Sequence, residues 1–430
     1  MFPDFSPKAT KLYKLLEDFV ENDCIPAEQI FHHQTRTGED RWKHVPGIME
    51  QLKQKAKSLG LWNLFLSKEY PEGAGLTNFE YAHMCALMGR AIRIAPEATN
   101  CSAPDTGNME VLSKFGNAQQ KQQWLTPLLE GQIRSAFAMT EPDVASADAT
   151  NIETSIRKEG GDYIINGRKW YISGAGDPRC KLLLVLGKTD PNNSSKHKQQ
   201  SILLVPMNTP GVKLIRPLCV LGFDDAPSGH FEIVLENVRV PAANMVLGEG
   251  RGFEVIQGRL GPGRIHHCMR ALGAAERSLE LMLMRVAERH TFGKAIAEHG
   301  ATQAEVATCR IELEQARLLV LNAAHRIDQV GAKGAWREIS LAKVAVPTIC
   351  LQVIDRAIQA FGAAGVSQDY PLAELYAGLR TLRIADGPDA VHMMQIARHE
   401  AKRVPVLKSR QDLYSRRAAQ LAQDWGISKL

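Results

Sequence analysis

The hydrophobic period of this chain changes twice, and few architectures accommodate both changes. Leu12, Leu15, Leu16, Phe19 and Val20 fall at i, i+3, i+4, i+7 and i+8, one face of an amphipathic helix. The same patterning recurs over 78–93 and 108–130, after a Gly/Pro-rich loop from Lys68 to Leu76. From about 134 the period becomes two. Ser135–Thr140, Tyr163–Ser173, Leu182–Lys188, Ser201–Pro206, Val212–Pro217 and Phe231–Val240 read as strands of a small antiparallel domain, with Asn166-Gly167 as a type I′ hairpin turn. After Gly248-Glu249-Gly250-Arg251-Gly252, long helices return at roughly 252–289, 302–330, 336–361 and 387–403, the first broken at Gly261-Pro262-Gly263. A polar helical segment follows. Helices, then strands, then helices predict an α+β fold: an N-terminal all-α domain over 1–133, a central antiparallel β-barrel or sandwich over 134–247, and a C-terminal four-helix bundle over 248–430. A doubly wound parallel sheet is excluded by the same order.

Other function classes fall away on composition. The eight cysteines lie far apart without a Cys-x-x-Cys pair, and no His-Glu-x-x-His is present, so neither a disulfide framework nor a metal site is expected. A reducing compartment fits. The net charge of +5 comes from 52 basic and 47 acidic residues scattered along the chain, without the basic, aromatic-interleaved block of a nucleic-acid groove. No apolar run approaches the roughly 20 residues of a membrane span. There is no P-loop and no Gly-x-Gly-x-x-Gly opening a helix after a strand, so any dinucleotide must be held in another way. The N-terminus carries neither a signal-peptide nor a transit pattern, whereas Ser428-Lys429-Leu430 is the tripeptide read by the peroxisomal import receptor. The expected compartment is the peroxisome, with the mitochondrion as alternative.

Chemistry concentrates in a few segments. Arg289-His290-Thr291-Phe292-Gly293-Lys294 ends a long helix, Gln359 to Gly365 ends another, and Asp386-Gly387-Pro388-Asp389 begins 27 residues after Gln359. Gly261-Pro262-Gly263-Arg264 places an arginine 25 residues before Arg289, and Phe137 to Pro142 and Trp170-Tyr171-Ile172-Ser173 lie in the strand region. An arginine fork matches phosphate oxygens, and small residues such as Gly362, Ala363 and Ala364 let a backbone approach a nucleotide. In order and spacing these segments resemble the acyl-CoA dehydrogenase family, and the match spans nearly the whole chain.

That resemblance implies FAD as cofactor. Phe137, Met139, Thr140, Ser146, Tyr171, Ile172 and Ser173 would line the flavin. Arg289, Thr291, Phe292, Gln359, Ala360, Phe361, Gly362 and Ala363 would reach the pyrophosphate and adenine of a neighbouring subunit's FAD, which implies a homodimer or homotetramer. Pro388 and Asp389 would adjoin the cofactor, although Asp389 also reads as the solvated acid of a helix's first turn. On the substrate side the resemblance implicates Ser146, Gly261, Gly263, Arg264, Gly387 and Arg398. Two departures stand out. The family's Gly-Ala-Gly-Ser-Asp is here Asp143-Val144-Ala145-Ser146-Ala147-Asp148, and Asp386 stands where most members have glutamate.

Asp386 would be the base that removes the α-proton of an acyl-CoA while hydride leaves the β-carbon for the flavin, giving trans-2-enoyl-CoA in fatty acid β-oxidation. Electrons would pass to an electron-transferring flavoprotein or another acceptor. A closed apolar pocket is expected to raise the pKa of such a carboxyl. The competing reading makes Asp386 a helix N-cap, because Asp-Gly-Pro is good helix-start chemistry. His266 and His267 read as structural. The aspartate and the terminal tripeptide resemble the branch whose members carry a kinase-like domain upstream. Hydroxylated acyl-CoA is therefore a sibling substrate, and a non-catalytic FAD- or CoA-binding scaffold is the alternative.

Overall fold

The computed structural model describes residues 2–427, apart from the surroundings of side chains 260–262. Ser428-Lys429-Leu430 and the environment of Gly261 therefore lie outside the described residues.

Eight helices come first: α1 (Pro7–Phe19), α2 (Ile25–Gln34), α3 (Gly47–Ser58), α4 (Asn78–Gly89), α5 (Ala95–Ala98), α6 (Asp105–Phe115), α7 (Ala118–Gln120) and α8 (Thr126–Leu129). Helix α4 begins where it does because Thr77 and Glu80 form a capping box. Thr77 Oγ1 accepts from the Glu80 N–H at 3.1 Å, and Glu80 Oε2 accepts from the Thr77 N–H at 2.9 Å.

Seven strands follow in one sheet: β1 (Arg134–Ala138), β2 (Ser155–Glu159), β3 (Asp162–Ser173), β4 (Cys180–Lys188), β5 (Gln200–Pro206), β6 (Val212–Leu218) and β7 (His230–Pro241). Pairing is antiparallel for β2–β3, β3–β7, β4–β5 and β6–β7, but β1 runs parallel to β4. The sheet is thus mixed, not purely antiparallel. Asn166-Gly167 is not a hairpin turn. β3 runs through it, with a bulge in its pairing to β7, and the chain reverses instead at Gly160-Gly161. Asn166 Oδ1 accepts from the Asn237 N–H at 2.7 Å, and a Cβ on Gly167 would meet Thr154 Oγ1 at 2.3 Å. Close backbone approach, rather than turn geometry, explains this glycine.

The C-terminal part holds α9 (Gly252–Glu288), the two-residue strands β8 (His290–Thr291) and β9 (Lys294–Ala295), then α10 (Gly300–Gly334), α11 (Trp336–Phe361), α12 (Leu372–Arg380), α13 (Asp389–Ala401) and α14 (Val404–Asp424). Helix α9 continues through 261–263 without the expected break. A mid-helix proline costs about 3 kcal/mol locally, and packing of α9 against α4, α6, α10 and α11 outweighs it.

One apolar core runs through both helical parts, and a second fills the β domain. The α4–α9 contact is close enough to exclude side chains. A Cβ at Gly273 would lie 1.8 Å from the Ala86 carbonyl oxygen, and one at Gly89 would lie 2.1 Å from that of Arg270. Gly273→Ala is therefore expected to cost about 3 kcal/mol by overpacking. Chemical denaturation measures this, and an unchanged midpoint would show that the two helices separate freely.

An ionic cluster fastens the first helices to β1. Asp105 Oδ1 accepts from the Ser135 N–H at 2.6 Å, and Asp105 Oδ2 from Arg134 Nε at 2.5 Å. Half-buried Glu97 pairs with Arg134 and Arg179, each at 2.8 Å, and with Lys53 at 3.1 Å. Together they fix α6 against the start of β1.

Candidate active site

Asp386 lies between the short turn Thr381–Arg383 and α13, in the left-handed region at φ +55°, followed by Gly387 at φ +99°. Only glycine tolerates the second conformation cheaply, and a Cβ there would meet His392 Nε2 at 2.8 Å. The loop is pinned through its carbonyl groups. Arg264 Nε donates to the Asp386 carbonyl oxygen at 2.8 Å, and His392 Nε2 lies 3.4 Å from the same atom. Lys343 Nζ donates to the Leu382 carbonyl and, at 3.4 Å, to that of Gly387.

The carboxylate is left free of hydrogen bonds among the described residues. It does not cap α13, whose N-cap is Pro388 with no side-chain bond. Instead it turns inward, with its side chain 17% exposed and Oδ2 3.4 Å from His267 Nε2. A Cβ on Gly263 would stand 3.8 Å from Oδ2, so the missing side chain at 263 keeps the approach to the carboxylate open. The Asp386 N–H also donates to no acceptor among the described residues.

The electrostatics correct the expected pKa. Burial pushes the Asp386 carboxyl up, but the positive charges of His267, Arg259, Arg264 and Lys343 outweigh it and hold the group below the ordinary aspartate value. Burial, with help from Arg270, pushes His267 down to about 4, so near neutral pH this imidazole is uncharged. Arg259, Arg264 and Lys343 are the cations that then remain around the carboxylate. The pocket is cationic where an apolar one was expected, and its base stays ionised.

These partners are what sequence reasoning missed. His267, read as structural, is a neighbour of the carboxylate, and its spacing of three from Arg264 on one helix face is the signal that points to it. His266 does fit the structural reading: it is buried with its ring 4.9 Å from Tyr81, and burial pushes it down to about 3. Arg259 lies over the Phe137 ring at 4.1 Å and reaches Asn108 Oδ1 at 3.3 Å. Its charge also acts on Asp386. Glu110, on α6, is buried with Oε2 unpartnered among the described residues, and burial pushes its carboxyl up to about 8. Asp389 is not a solvated acid, because Oδ2 pairs with Arg383 Nε at 2.7 Å and Oδ1 is buried without a partner.

Phe137, Met139 and Thr140 run off the end of β1 beside β3, where the Trp170 N–H donates to the Thr140 carbonyl at 3.0 Å. Lys169, fully buried, anchors this corner by donating to Met139 O at 2.8 Å, Glu141 Oε1 at 2.8 Å and Leu186 O at 2.7 Å. Tyr171 is left-handed at φ +50° and exposed, Ile172 is buried, and Ser173 Oγ lies 2.9 Å from His230 Nδ1. In the 143–148 loop no residue has positive φ, so the missing glycines are not needed. Ser146 Oγ accepts from the Glu141 N–H at 2.9 Å and thereby closes the turn.

Arg289, Thr291 and Phe292 gather elsewhere with Gln359, Ala360, Phe361, Gly362 and Ala363. The Arg285 guanidinium joins the two groups, lying 5.0 Å over the Phe361 ring with Nε buried and unpartnered among the described residues. Arg289, Gln359, Gly362 and Ala363 are exposed, and Phe292 is 95% exposed. From Arg264 to Arg289 the helix advances about 37 Å at 1.5 Å per residue. Within one chain, this cluster and Asp386 therefore lie far apart along α9. Arg398, on α13, is exposed and makes no ion pair among the described residues.

Three family models cover the chain: acyl-CoA dehydrogenase N-terminal domain over 6–132, middle domain over 136–238 and C-terminal domain over 250–401. The chain is 56% identical over 402 residues to mouse "Acyl-CoA dehydrogenase family member 10", covering 92% of this chain and 37% of that protein. It is 54% identical over 398 residues to "Probable acyl-CoA dehydrogenase FadE2" of Mycobacterium tuberculosis, covering 93% of this chain and 96% of the relative. The chain spans about half or less of the length of several relatives it matches, the mouse protein among them. Among solved structures, butyryl-CoA dehydrogenase from Megasphaera elsdenii superposes with a TM-score of 0.77 at 26% identity, covering 93% of this chain and 100% of that one. A Mycobacterium abscessus structure assigned to the acyl-CoA dehydrogenases reaches 0.90 at 46% identity, covering 94% and 100%. The chain belongs to the acyl-CoA dehydrogenase family, whose members are FAD-dependent oxidoreductases.

Proposed function

We propose that this chain catalyses α,β-dehydrogenation of an acyl-CoA thioester to the trans-2-enoyl-CoA in fatty acid β-oxidation, with Asp386 as the base. One observation carries the reading: an inward-turned, ionised carboxylate, free of hydrogen bonds, faces the open position at Gly263. FAD, when bound, supplies the acceptor for the hydride that leaves the β-carbon. Phe137, Met139, Thr140 and the Tyr171–Ser173 edge would hold its ring, and the exposed Arg289–Phe292 and Gln359–Ala363 cluster would hold the distal part of a second copy's FAD. The buried, unpartnered Arg285 Nε beside that cluster fits an anionic group.

The α-proton passes to an Asp386 oxygen, and its electron pair forms the new double bond as hydride departs. The Asp386 N–H is free to donate to the thioester oxygen, where negative charge develops. Arg264 orients this machinery by holding the Asp386 carbonyl. Aspartate is one methylene shorter than glutamate, and the bare Gly263 lets the substrate come correspondingly nearer. Arg398 would reach only the CoA portion. Electrons leave to an electron-transferring flavoprotein or another acceptor, and Ser428-Lys429-Leu430 supports a peroxisomal setting.

A second substrate reading has its own observation. Arg259 is in electrostatic reach of both Asp386 and the buried Glu110, and these polar groups suit an acyl chain bearing a hydroxyl better than a plain one. Anaerobic mixing of the flavoprotein with plain and hydroxylated acyl-CoAs of several lengths is the test. Rapid bleaching of the flavin band is expected with at least one class, and no bleaching with any of them would contradict the reading.

A further inference from the structure

Three polar side chains at one end of the β3–β7 ladder form a hydrogen-bonded series for which proton removal by Asp386 has no use. Ser173 and His230 are cross-strand partners, so both point to one face of the sheet. Ser173 Oγ lies 2.9 Å from His230 Nδ1, and His230 Nε2 lies 3.3 Å from Asp225 Oδ2. Asp225 sits in the turn before β7, left-handed at φ +56°, and its other oxygen pairs with Arg93. Burial pushes the Asp225 carboxyl up, but the bond from His230 and the charge of Arg93 outweigh it and hold the group below the ordinary aspartate value. It is a fixed acceptor.

The direction of the series follows. In a neutral imidazole one nitrogen carries the proton, and the ring's hydrogen-bond partners decide which. An ionised carboxylate only accepts, so the proton belongs on Nε2, and Nδ1 is left as an acceptor. The Ser173 hydroxyl must then donate to Nδ1, with its oxygen lone pairs turned away from His230. Ser173 is half-buried, and its Oγ makes no other hydrogen bond among the described residues. It lies beside the end of β1. The Trp170 N–H bonds the Thr140 carbonyl, and a Cβ on Gly174 would stand 3.3 Å from the Ser135 carbonyl oxygen, so Tyr171–Ser173 run along Ala136–Met139.

We propose that His230, oriented by Asp225, turns the Ser173 hydroxyl so that an oxygen lone pair faces the flavin, which favours the reduced cofactor over the oxidised one. The inference rests on the reading that the Tyr171–Ser173 edge holds the flavin ring. The ring nitrogen that receives hydride is an acceptor when oxidised and an N–H donor when reduced. A fixed lone pair repels the first and bonds the second. A serine hydroxyl with no imidazole behind it would rotate to serve either state. His230 is thus a positioning residue that sets the flavin potential.

Reductive titration of the FAD-loaded protein with dithionite, against a reference dye, reads that potential without any acyl-CoA. Its outcome is therefore independent of whether the proposed dehydrogenation takes place. One hydrogen bond is worth up to about tenfold in an equilibrium, which for a two-electron couple is about 30 mV. His230→Phe keeps a ring but offers no acceptor, and is expected to lower the potential by about that amount with flavin content unchanged. His230→Asn should stay near the native value, because an amide oxygen can take the place of Nδ1. Ser173→Ala should lower the potential as His230→Phe does, and combining the two should lower it no further. A native or raised potential in Ser173→Ala or His230→Phe overturns the inference, as does an additional drop in the double variant or an asparagine variant that falls as far as the phenylalanine one. If His230→Phe fails to fold, Ser173→Ala and His230→Asn decide by the same criteria.

Discussion

Asp386→Asn is expected to lower turnover by about 10³-fold or more while FAD stays bound and acyl-CoA still binds. Asparagine matches the side chain in size, so the φ +55° loop, the Arg264 bond to the main-chain carbonyl and the contact with His392 all survive. What is lost is the acceptor for the proton, and a positioned base typically contributes 10²–10⁴-fold. Nothing else nearby replaces it. His267, uncharged near neutral pH, sits 3.4 Å from the carboxylate, and its pKa of about 4 makes it a weak base. Asp386→Glu restores the acid yet moves it by about 1 Å, which can cost on the order of a hundredfold. Stopped-flow flavin reduction separates the cases, and near-native reduction by the asparagine variant would remove Asp386 from the mechanism.

Arg264→Ala is expected to cut kcat/KM by about a hundredfold and to move the acid limb of its pH profile upward. Arg264 does two things at once: it donates to the Asp386 carbonyl at 2.8 Å and helps hold the carboxyl below the ordinary value. The sign follows. A carboxyl with a depressed pKa loses its proton-accepting form only as pH falls through that low value, so the native profile should stay flat down into the usual carboxylate range or below. Removing one cation lets burial count for more, the pKa rises, and the acid limb follows it. An unchanged limb would show that Arg259 and Lys343 suffice, leaving Arg264 with only a positioning role.

Much of this arrangement was legible because it follows from local pattern. The switch from helical to alternating period near 134, and back after Gly252, places α1, α4, the 105–129 helical stretch, the sheet and α9–α11, while α2 and α5 went unread. The Asp386-Gly387 loop shows in sequence because its geometry demands glycine at one position. What was not legible depends on packing between distant segments. Arg259, His267 and Lys343 converge on the base only when α9 and α11 close around the 381–387 loop. No interval between them predicts that convergence, apart from the three residues separating Arg264 from His267. The expectation of an apolar, pKa-raising pocket failed for that reason. Asn166-Gly167 failed differently: its turn preference is real, but twelve residues of β3 paired along β7 outweigh it, and the turn moves to Gly160-Gly161. β2 went unseen because Ser155-Ile156-Arg157-Lys158-Glu159 has a single buried residue and so no apolar alternation.

Proton exchange at the α-carbon tests the central claim most directly. Acyl-CoA incubated anaerobically in D2O with the FAD-loaded protein should gain deuterium at Cα when the native protein is present, as read by mass spectrometry. The Asp386→Asn protein should leave that position unlabelled although ligand remains bound. Labelling by the asparagine variant at the native rate would show that another group removes the proton.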